Sequence, residues 1–291
     1  MSTSDRTIVE RATTVPRKRI GLYAVLLAMV VLYLLPLETG LFTAFKTQSA
    51  FQTTIPVLPP IGNQFTIGPW GQALDRLWPA LGYSVAFVVP ATAFSALFGS
   101  LAAYGLTITK WRGQIVVMLI FVAGIFIPYQ AVLVPLTRFW TGIVDIRGLL
   151  GPEGSLVALT ITHIAYGIPI CTLLFRGHFK GLDQSMFEAA RLDGATIRTI
   201  YRRIAFPLAI PMFAVTLIYQ FTNIWNDLLF ALVLVRGEYE VVTMALQSFT
   251  GSMVGQYNLL MAGAFITALP TIAVYVLFGK QFAEGVSGGG A

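Results

Sequence analysis

Hydrogen-bonding side chains recur at helical spacing in the segment 207–235, which is otherwise apolar. Tyr219, Asn223 and Asn226 are separated by four and three residues, so a helix places them on one stripe. Their hydroxyl and amide groups, beside an aromatic ring, suit a polar path for a solute rich in hydroxyl groups, such as a sugar. The same groups could instead hydrogen-bond one helix to another. We treat these three residues as candidates for a solute pathway, with interhelical hydrogen bonding as the alternative.

Asp227 is the only acidic residue in that segment. A carboxylate is costly in lipid and usually faces a partner or a wet cavity, so we favour a structural hydrogen-bonding role. A position at the membrane surface is the alternative. We interpret His163 as another hydrogen-bonded residue of the helix bundle and Cys171, the single cysteine, as a packing residue. We predict no metal site and no catalytic residue.

The charged loop 176–207 has the sequence pattern of two short helices. Asp183 can accept a backbone N–H at the start of the first, and Thr196 can do the same for the second. Gly194 stands where a helix stop favours a positive φ angle, and Pro207 is predicted to end the element. The loop therefore predicts a helix–turn–helix.

This loop also carries more apolar residues than a solvated connection needs. In the second helix they fall on one face at helical spacing. The residues of that face are Ile197, Ile200, Tyr201 and Ile204. In the first helix the apolar residues are Met186, Phe187, Ala189 and Ala190. An amphipathic helix lying in the lipid interface and a docking element for a soluble partner both explain this pattern.

The elements that position these residues are membrane spans. The chain of 291 residues is 56% hydrophobic and only 11% charged, whereas soluble domains carry about 25% charged residues. This composition excludes a soluble enzyme and a disordered chain. A span needs about 20 apolar residues, and six segments qualify. They are Ile20–Leu37, Leu81–Thr109, Gly113–Thr137, Gly154–Phe175, Pro207–Val235 and Asn258–Gly279.

The distribution of basic residues predicts the orientation. Most of the 19 Lys and Arg residues lie before the first span, between the second and third, or in the loop 176–207. The positive-inside rule therefore places both termini in the cytoplasm. The net charge of +6 is then a topology signal, and no nucleic-acid partner is expected.

We divide the chain into four parts. Residues 1–19 form a cytoplasmic N-terminal segment, and 20–80 contain the first span followed by an irregular outer loop rich in Pro and Gly. Residues 81–279 form the transmembrane core with the loop 176–207, and 280–291 form a tail that is flexible by composition.

The loop 176–207 resembles the signature of permease subunits of binding-protein-dependent ABC importers. That signature is E-A-A, three residues, G, nine residues, I, one residue and L-P. Its counterparts here are Glu188, Ala189, Ala190, Gly194, Ile204 and Pro207, with Phe206 in place of the leucine. Further stretches look like the carbohydrate, maltose-type branch, although Tyr83 stands where the family usually has asparagine. These stretches are Tyr83-Ser84, Ala102–Gly105, Ile127-Pro128, Val134–Leu136 and Trp225–Asp227.

The resemblance implies an all-α, type I ABC importer permease fold with six transmembrane helices, in the plasma (inner) membrane. It implies a sugar as cargo. It also implies a second permease subunit forming a heterodimer, two cytoplasmic ABC ATPase subunits, an extracytoplasmic solute-binding protein and contact with membrane lipid. The residues it assigns to ATPase coupling are Glu188, Ala189, Ala190, Asp193, Gly194, Ile204 and Pro207.

We expect this chain to be a transport subunit without an ATPase site of its own. Its Gly279-Lys280 pair is followed by Gln281 and lacks the phosphate-loop pattern. No cofactor is predicted, because the partner subunits bind ATP. The alternatives are the same class of permease with a non-sugar solute, and an ion-coupled secondary transporter, which would need paired ionisable groups and inverted repeats.

Overall fold

The computed structural model is all-helical. It describes residues 17–237, 239–251 and 255–287. Within these ranges there is no strand, only an isolated antiparallel bridge between Lys46 and Phe65. Most of the predicted N-terminal segment, residues 1–16, and the end of the predicted tail, 288–291, lie outside the described residues.

The α-helices follow one another with short connections. The first five are α1 (Arg17–Ala44), α2 (Gln48–Thr53), α3 (Gly68–Gly105), α4 (Gln114–Ile125) and α5 (Tyr129–Arg138). The next five are α6 (Ile146–Leu150), α7 (Gly154–Gly181), α8 (Gln184–Leu192), α9 (Ile197–Ile200) and α10 (Phe206–Leu208). The last four are α11 (Ile210–Trp225), α12 (Leu229–Leu234), α13 (Val242–Ser248) and α14 (Tyr257–Ser287). The described ranges contain two π-helical turns, Phe139–Ile143 and Tyr201–Ala205.

Four of the described helices are long and apolar enough to cross a membrane by themselves. They are Arg19–Ala44, Gly68–Gly105, Ile146–Gly181 and Tyr257–Ala283. Two further spans are bent pairs, one with an angle of 96° and the other with an angle of 73°. Counting each bent pair as one span gives six, the predicted number.

Two of the six spans are bent. Pro128 lies in extended conformation between α4 and α5. A proline interrupts a helix because it has no N–H to donate and its ring clashes with the preceding turn. The second bend lies at Ala209, between α10 and α11. Pro207 was predicted to end the preceding element, but it lies in the first turn of α10, where proline is tolerated.

Several helices extend beyond the predicted spans. Helix α1 continues through Pro36 to Ala44, and α3 begins at Gly68 rather than Leu81. The predicted irregular loop therefore shrinks to the connections around the short helix α2. Helix α14 extends to Ser287, so much of the tail predicted to be flexible is helical.

The chain forms two compact units, of which the first comprises residues 1–72 and 256–262. Its most unusual contact is a buried lysine. Lys46 Nζ donates to the carbonyl oxygens of Ile55 at 2.8 Å and Pro56 at 3.3 Å, and its own carbonyl accepts from Asn258 Nδ2 at 3.1 Å. Burial lowers the pKa of the Lys46 ammonium. These bonds tie down the chain on both sides of α2.

The second unit comprises residues 73–255 and 263–291. Its helices approach closely where small residues meet, as is common in membrane bundles. A Cβ atom added to Gly99 in α3 would overlap Cys171 in α7. One added to Gly167 in α7 would overlap Ser95 and Gln220, so α3, α7 and α11 pack around that glycine.

Candidate functional site

The predicted helix–turn–helix of the 176–207 segment is confirmed by its backbone. Asp183 Oδ1 accepts from the Ser185 N–H at 2.9 Å, which caps α8, and hydrogen bonds from the Ser185 side chain and backbone lower the pKa of the Asp183 carboxyl. Thr196 Oγ1 accepts from the Thr199 N–H at 3.2 Å and caps α9. Gly194 has a φ angle of +79°, which L side chains rarely adopt. Local hydrogen bonds and one glycine thus set the angle between the two helices.

Helix α8 is mounted on the bundle by its inner face. Phe187 is only 1% exposed and belongs to an apolar cluster with Tyr104 in the last turn of α3, Ile108 in the connection that follows it, Phe179 at the end of α7, and Ile200 in α9. An aromatic side chain buried to this extent contributes several kcal/mol, about 3–5 when it is truncated to alanine. Phe187 therefore fixes α8 to the ends of two membrane spans.

Two polar contacts strengthen the mount. The Arg191 guanidinium donates to the carbonyl oxygen of Ile108, and Lys110 Nζ contacts Glu188 Oε1 at 2.9 Å. The hydrogen bond and the charge of Lys110 lower the pKa of the Glu188 carboxyl. Both side chains of that ion pair are largely exposed, and such pairs add little stability. Their role is to orient α8 against the connection that follows α3.

The outer face of α8 is exposed and partly apolar. Leu192 is 90% exposed, which is extreme for a leucine on a structured helix. Ala189 lies one turn earlier on the same face, and Glu188 and Asp193 flank the pair. Sequence reasoning missed Leu192, although its position opposite Phe187 on a short amphipathic helix is a readable signal.

The residues predicted to couple to an ATPase therefore divide into two groups. Ala190 and Ile204 are half-buried against the apolar cluster and belong to the mount. The exposed ones are Glu188, Ala189, Asp193, Gly194 and Pro207. One prediction for the second helix was wrong. Ile197 is exposed and does not lie on the buried face, because it is the first residue of α9 and the buried face begins at Ile200. Its carbonyl instead accepts from the Tyr104 hydroxyl at 3.0 Å.

A second candidate site, the polar cavity, lies among α5, α7 and α11. It has a volume of about 50 Å³ and opens beside a larger space of about 310 Å³ that shares several of its residues. The lining residues of the polar cavity are Tyr129, His163, Tyr166, Gly167, Ile170, Tyr219, Gln220, Asn223, Ile224 and Asp227. No lysine or arginine is among them, which matters for the charge of a solute.

A His–Asp pair closes one end of the polar cavity. The two side chains are each 7% exposed, and His163 Nε2 lies 3.5 Å from Asp227 Oδ2 without the geometry of a hydrogen bond. Asp227 Oδ2 also accepts from the Phe230 N–H at 3.1 Å, which helps to start α12. This agrees with a structural role for Asp227, whose side chain is buried within the protein. In the described residues, no group of three potential metal ligands occurs.

Aromatic rings form one wall of the polar cavity. The ring centroid of Tyr129 lies 5.2 Å from that of Tyr166 and 4.9 Å from that of Phe230. Tyr219 faces the same space and is 43% exposed. Sequence reasoning missed Tyr129 and Tyr166, because they come from other helices and share no periodic pattern with Tyr219.

The predicted polar stripe is only partly present. Tyr219 and Asn223 line the polar cavity, and Asn223 Nδ2 donates to the Tyr219 carbonyl at 3.0 Å. Asn226 lies beyond the last residue of α11, is exposed and donates to the Thr222 carbonyl at 2.8 Å. Asn226 is not among the residues that line the polar cavity.

Bent membrane spans, a short helix mounted on their ends and a polar cavity between them define a multi-pass transport subunit. The chain belongs to the family of binding-protein-dependent transport system inner membrane components, which it matches over residues 95–287. This confirms the family predicted from the 176–207 segment.

Relatives and solved structures agree with this family. The chain is 43% identical to the xylose/arabinose import permease protein XacI of Haloferax volcanii, over 98% of this chain and 97% of that protein. It is 29% identical to the glucose import system permease protein GlcU of Saccharolobus solfataricus, over 92% and 94% of the two chains. A crystal structure of a bacterial ABC transporter that imports alginate matches with a TM-score of 0.72 and 20% identity, over 97% and 99%. The fold prediction is confirmed.

Proposed function

We propose that this chain is the permease subunit of an ATP-driven importer for a neutral sugar. The observation that carries the proposal is helix α8, whose inner face is buried through Phe187 and whose outer face exposes Leu192. A helix that is rigidly mounted on membrane spans, yet exposes a leucine almost completely, is built to receive a partner.

The mount indicates how such a partner would drive transport. Helix α8 is tied to the connection that directly follows α3 through Ile108 and to the end of α7 through Phe179. A displacement of α8 by a closing pair of ATPase subunits would therefore move these spans as rigid bodies, which is the motion that alternating access requires. Glu188, Ala189, Asp193 and Leu192 form the proposed contact.

The composition of the polar cavity supports a neutral, hydroxyl-rich cargo. Tyrosine rings offer apolar faces to a sugar, and the Asn223 and Gln220 amides and the Tyr hydroxyls offer hydrogen bonds. The lack of Lys and Arg among the lining residues disfavours an anion such as alginate or phosphate. The names of the relatives XacI and GlcU, which refer to xylose, arabinose and glucose, support a sugar.

We assign ATP binding to partner subunits. Gly279-Lys280 lies inside α14, where the backbone N–H groups serve the helix rather than a phosphate. The proposed assembly contains a second permease subunit and two ATPase subunits, and the family description adds an external binding protein. The α8 side is assigned to the cytoplasm, because the basic residues of the 176–207 segment lie there.

A proton-coupled carrier is the second candidate function. The His163–Asp227 pair is the kind of buried ionisable pair that such a carrier needs. Family membership and the α8 surface favour the ATP-driven importer. The two candidate functions differ in the energy source that they predict for uptake and in the response that they predict to Asp227→Asn.

The test is uptake of labelled xylose, arabinose and glucose by the complete transporter in proteoliposomes. We expect uptake to require ATP on the α8 side, to survive an ionophore and to persist in Asp227→Asn. Leu192→Asp should abolish uptake, whereas the apolar replacement Leu192→Met at the same exposed position should not. Uptake driven by a proton gradient without ATP would overturn the proposal in favour of the carrier.

A further inference from the structure

A cluster of three arginines follows α8 in the chain and has no assigned role. Arg198, Arg202 and Arg203 are exposed and, with Thr199, line a surface cavity of about 580 Å³. Among the described residues, none of the three guanidinium groups has a hydrogen bond or an ion pair. By contrast, the nearby Arg191 donates to the Ile108 carbonyl. The cluster is thus a concentration of positive charge that the described part of the protein does not neutralise.

The position of the cluster identifies its surroundings. The next exposed residues along the chain are apolar, namely Phe206, Leu208 and Ile210, at the start of the fifth span. Within the membrane-spanning segments, exposed apolar side chains contact hydrocarbon. Arginines within a turn or two of such residues lie at the level of the lipid headgroups, where long basic side chains extend toward the interface.

We propose that Arg198, Arg202 and Arg203 form a binding site for the phosphate of an anionic phospholipid headgroup. Arginine suits this ligand because its planar guanidinium can donate two parallel hydrogen bonds to phosphate oxygens. Arg198 and Arg202 are one helical turn apart and Arg203 is adjacent, so one phosphate can contact more than one guanidinium. A bound lipid would anchor the end of the segment that carries α8.

A lipid is favoured over a soluble protein partner because of this apolar border. The exposed contact surface for a protein is on α8, around Leu192, which belongs to a different helix. The arginine cluster instead adjoins the residues that face hydrocarbon. This proposal does not depend on the identity of the cargo or on the source of energy.

The experiment measures lipid retention by the complete transporter, purified from nanodiscs that contain phosphatidylcholine and phosphatidylglycerol. Bound lipids are counted by native mass spectrometry. We expect the wild type to retain phosphatidylglycerol preferentially. The triple variant Arg198→Gln/Arg202→Gln/Arg203→Gln should lose that preference, by about fivefold for each arginine near the membrane surface. Replacing all three by lysine should keep only part of it, because an ammonium lacks the planar pair of donors of a guanidinium.

The matched control removes the same charge elsewhere, by Arg112→Gln/Arg138→Gln/Arg236→Gln, three other exposed arginines. It should retain phosphatidylglycerol nearly as the wild type does. Equal retention by the control and the cluster variant would overturn the proposal. If the glutamine triple variant fails to assemble, Arg202→Gln alone should show the fivefold loss.

Two further results would also overturn it. Displacement of phosphatidylglycerol by millimolar inorganic phosphate would assign the cluster to free phosphate. Loss of the ATPase subunits with unchanged lipid retention would assign it to a protein contact. Lipid counts are read without transport, so a failure of this proposal is distinguishable from a failure of the importer function.

Discussion

The 176–207 segment and the polar cavity are built from different kinds of contact. In the segment, the bonds that determine the backbone join near neighbours, such as Asp183 with Ser185 and Thr196 with Thr199. In the polar cavity, the close pair joins His163 of α7 to Asp227 beyond α11. The surface that meets water is thus specified locally, whereas the site inside the membrane exists only when helices pack.

The 176–207 segment and the polar cavity also differ in the substitutions that they tolerate. The segment must hold one rigid geometry, because α8 transmits force only if its mount does not yield. The polar cavity can lose single hydrogen bonds to a solute without losing its fold. Substitutions in the segment are therefore expected to act on coupling, and those in the cavity on affinity for the solute.

The largest effect is expected from Phe187→Ala. Removing this buried ring should cost about 3–5 kcal/mol of local stability and detach α8 from the spans. Uptake should be lost and ATP hydrolysis should no longer respond to substrate, as measured in proteoliposomes. The control Leu192→Ala, at an exposed position on the same helix, should leave thermal stability unchanged. Equal stability of both variants would contradict the assignment of the two faces.

The next effect concerns the turn at Gly194. Gly194 has a φ angle of +79°, and the space around its Cβ position is open. A side chain at this position would therefore cause backbone strain but no steric clash. Gly194→Val should abolish substrate-stimulated ATPase activity, because β-branched residues rarely adopt this conformation. Gly194→Asn should retain much of that activity, since asparagine tolerates positive φ. Equal loss in the two variants would show that the glycine is needed for another reason.

A smaller effect is expected in the polar cavity. Tyr219→Ala and Asn223→Ala each remove a hydrogen-bonding group, so the KM for uptake should rise by about two- to tenfold. Asn226→Ala should change it by less than about twofold, because this residue does not line the cavity. Binding-protein affinity, measured separately, should not change. A larger increase in KM for Asn226→Ala than for Tyr219→Ala would show that Asn226 belongs to the solute pathway, as the sequence predicted.

The smallest effect is expected from Lys110→Gln. Lys110 lowers the pKa of Glu188, so the ion pair is intact above the ordinary glutamate pKa and is lost only as pH falls through the lowered value. The variant should therefore differ from wild type in uptake by the same small factor throughout about pH 6–8. A ratio that changes across this range would show that Glu188 titrates there.

The same contrast explains what the sequence could predict. The caps, the positive φ of Gly194 and six apolar spans depend on short-range patterns, and all were predicted. The bends at Pro128 and Ala209 and the early start of α3 were not predicted. Prolines occur both inside and at the ends of membrane helices, so a proline in the sequence does not by itself show where a helix bends or begins. Tyr129 and Tyr166 could not be assigned to the cavity, because nothing in a single sequence shows which helices pack together. The assigned roles of the coupling residues stay predictions.

The central claim is that the outer face of α8 contacts an ATPase subunit. The only native cysteine, Cys171, is buried, so a cysteine introduced at Leu192 can be cross-linked selectively. In the complete transporter, Leu192→Cys should cross-link to an ATPase subunit that carries surface cysteines beside its docking cleft, with a yield that changes when ATP is added. Ile143→Cys should give no such product. Cross-linking from Ile143→Cys, or none from Leu192→Cys in an intact complex, would contradict the account.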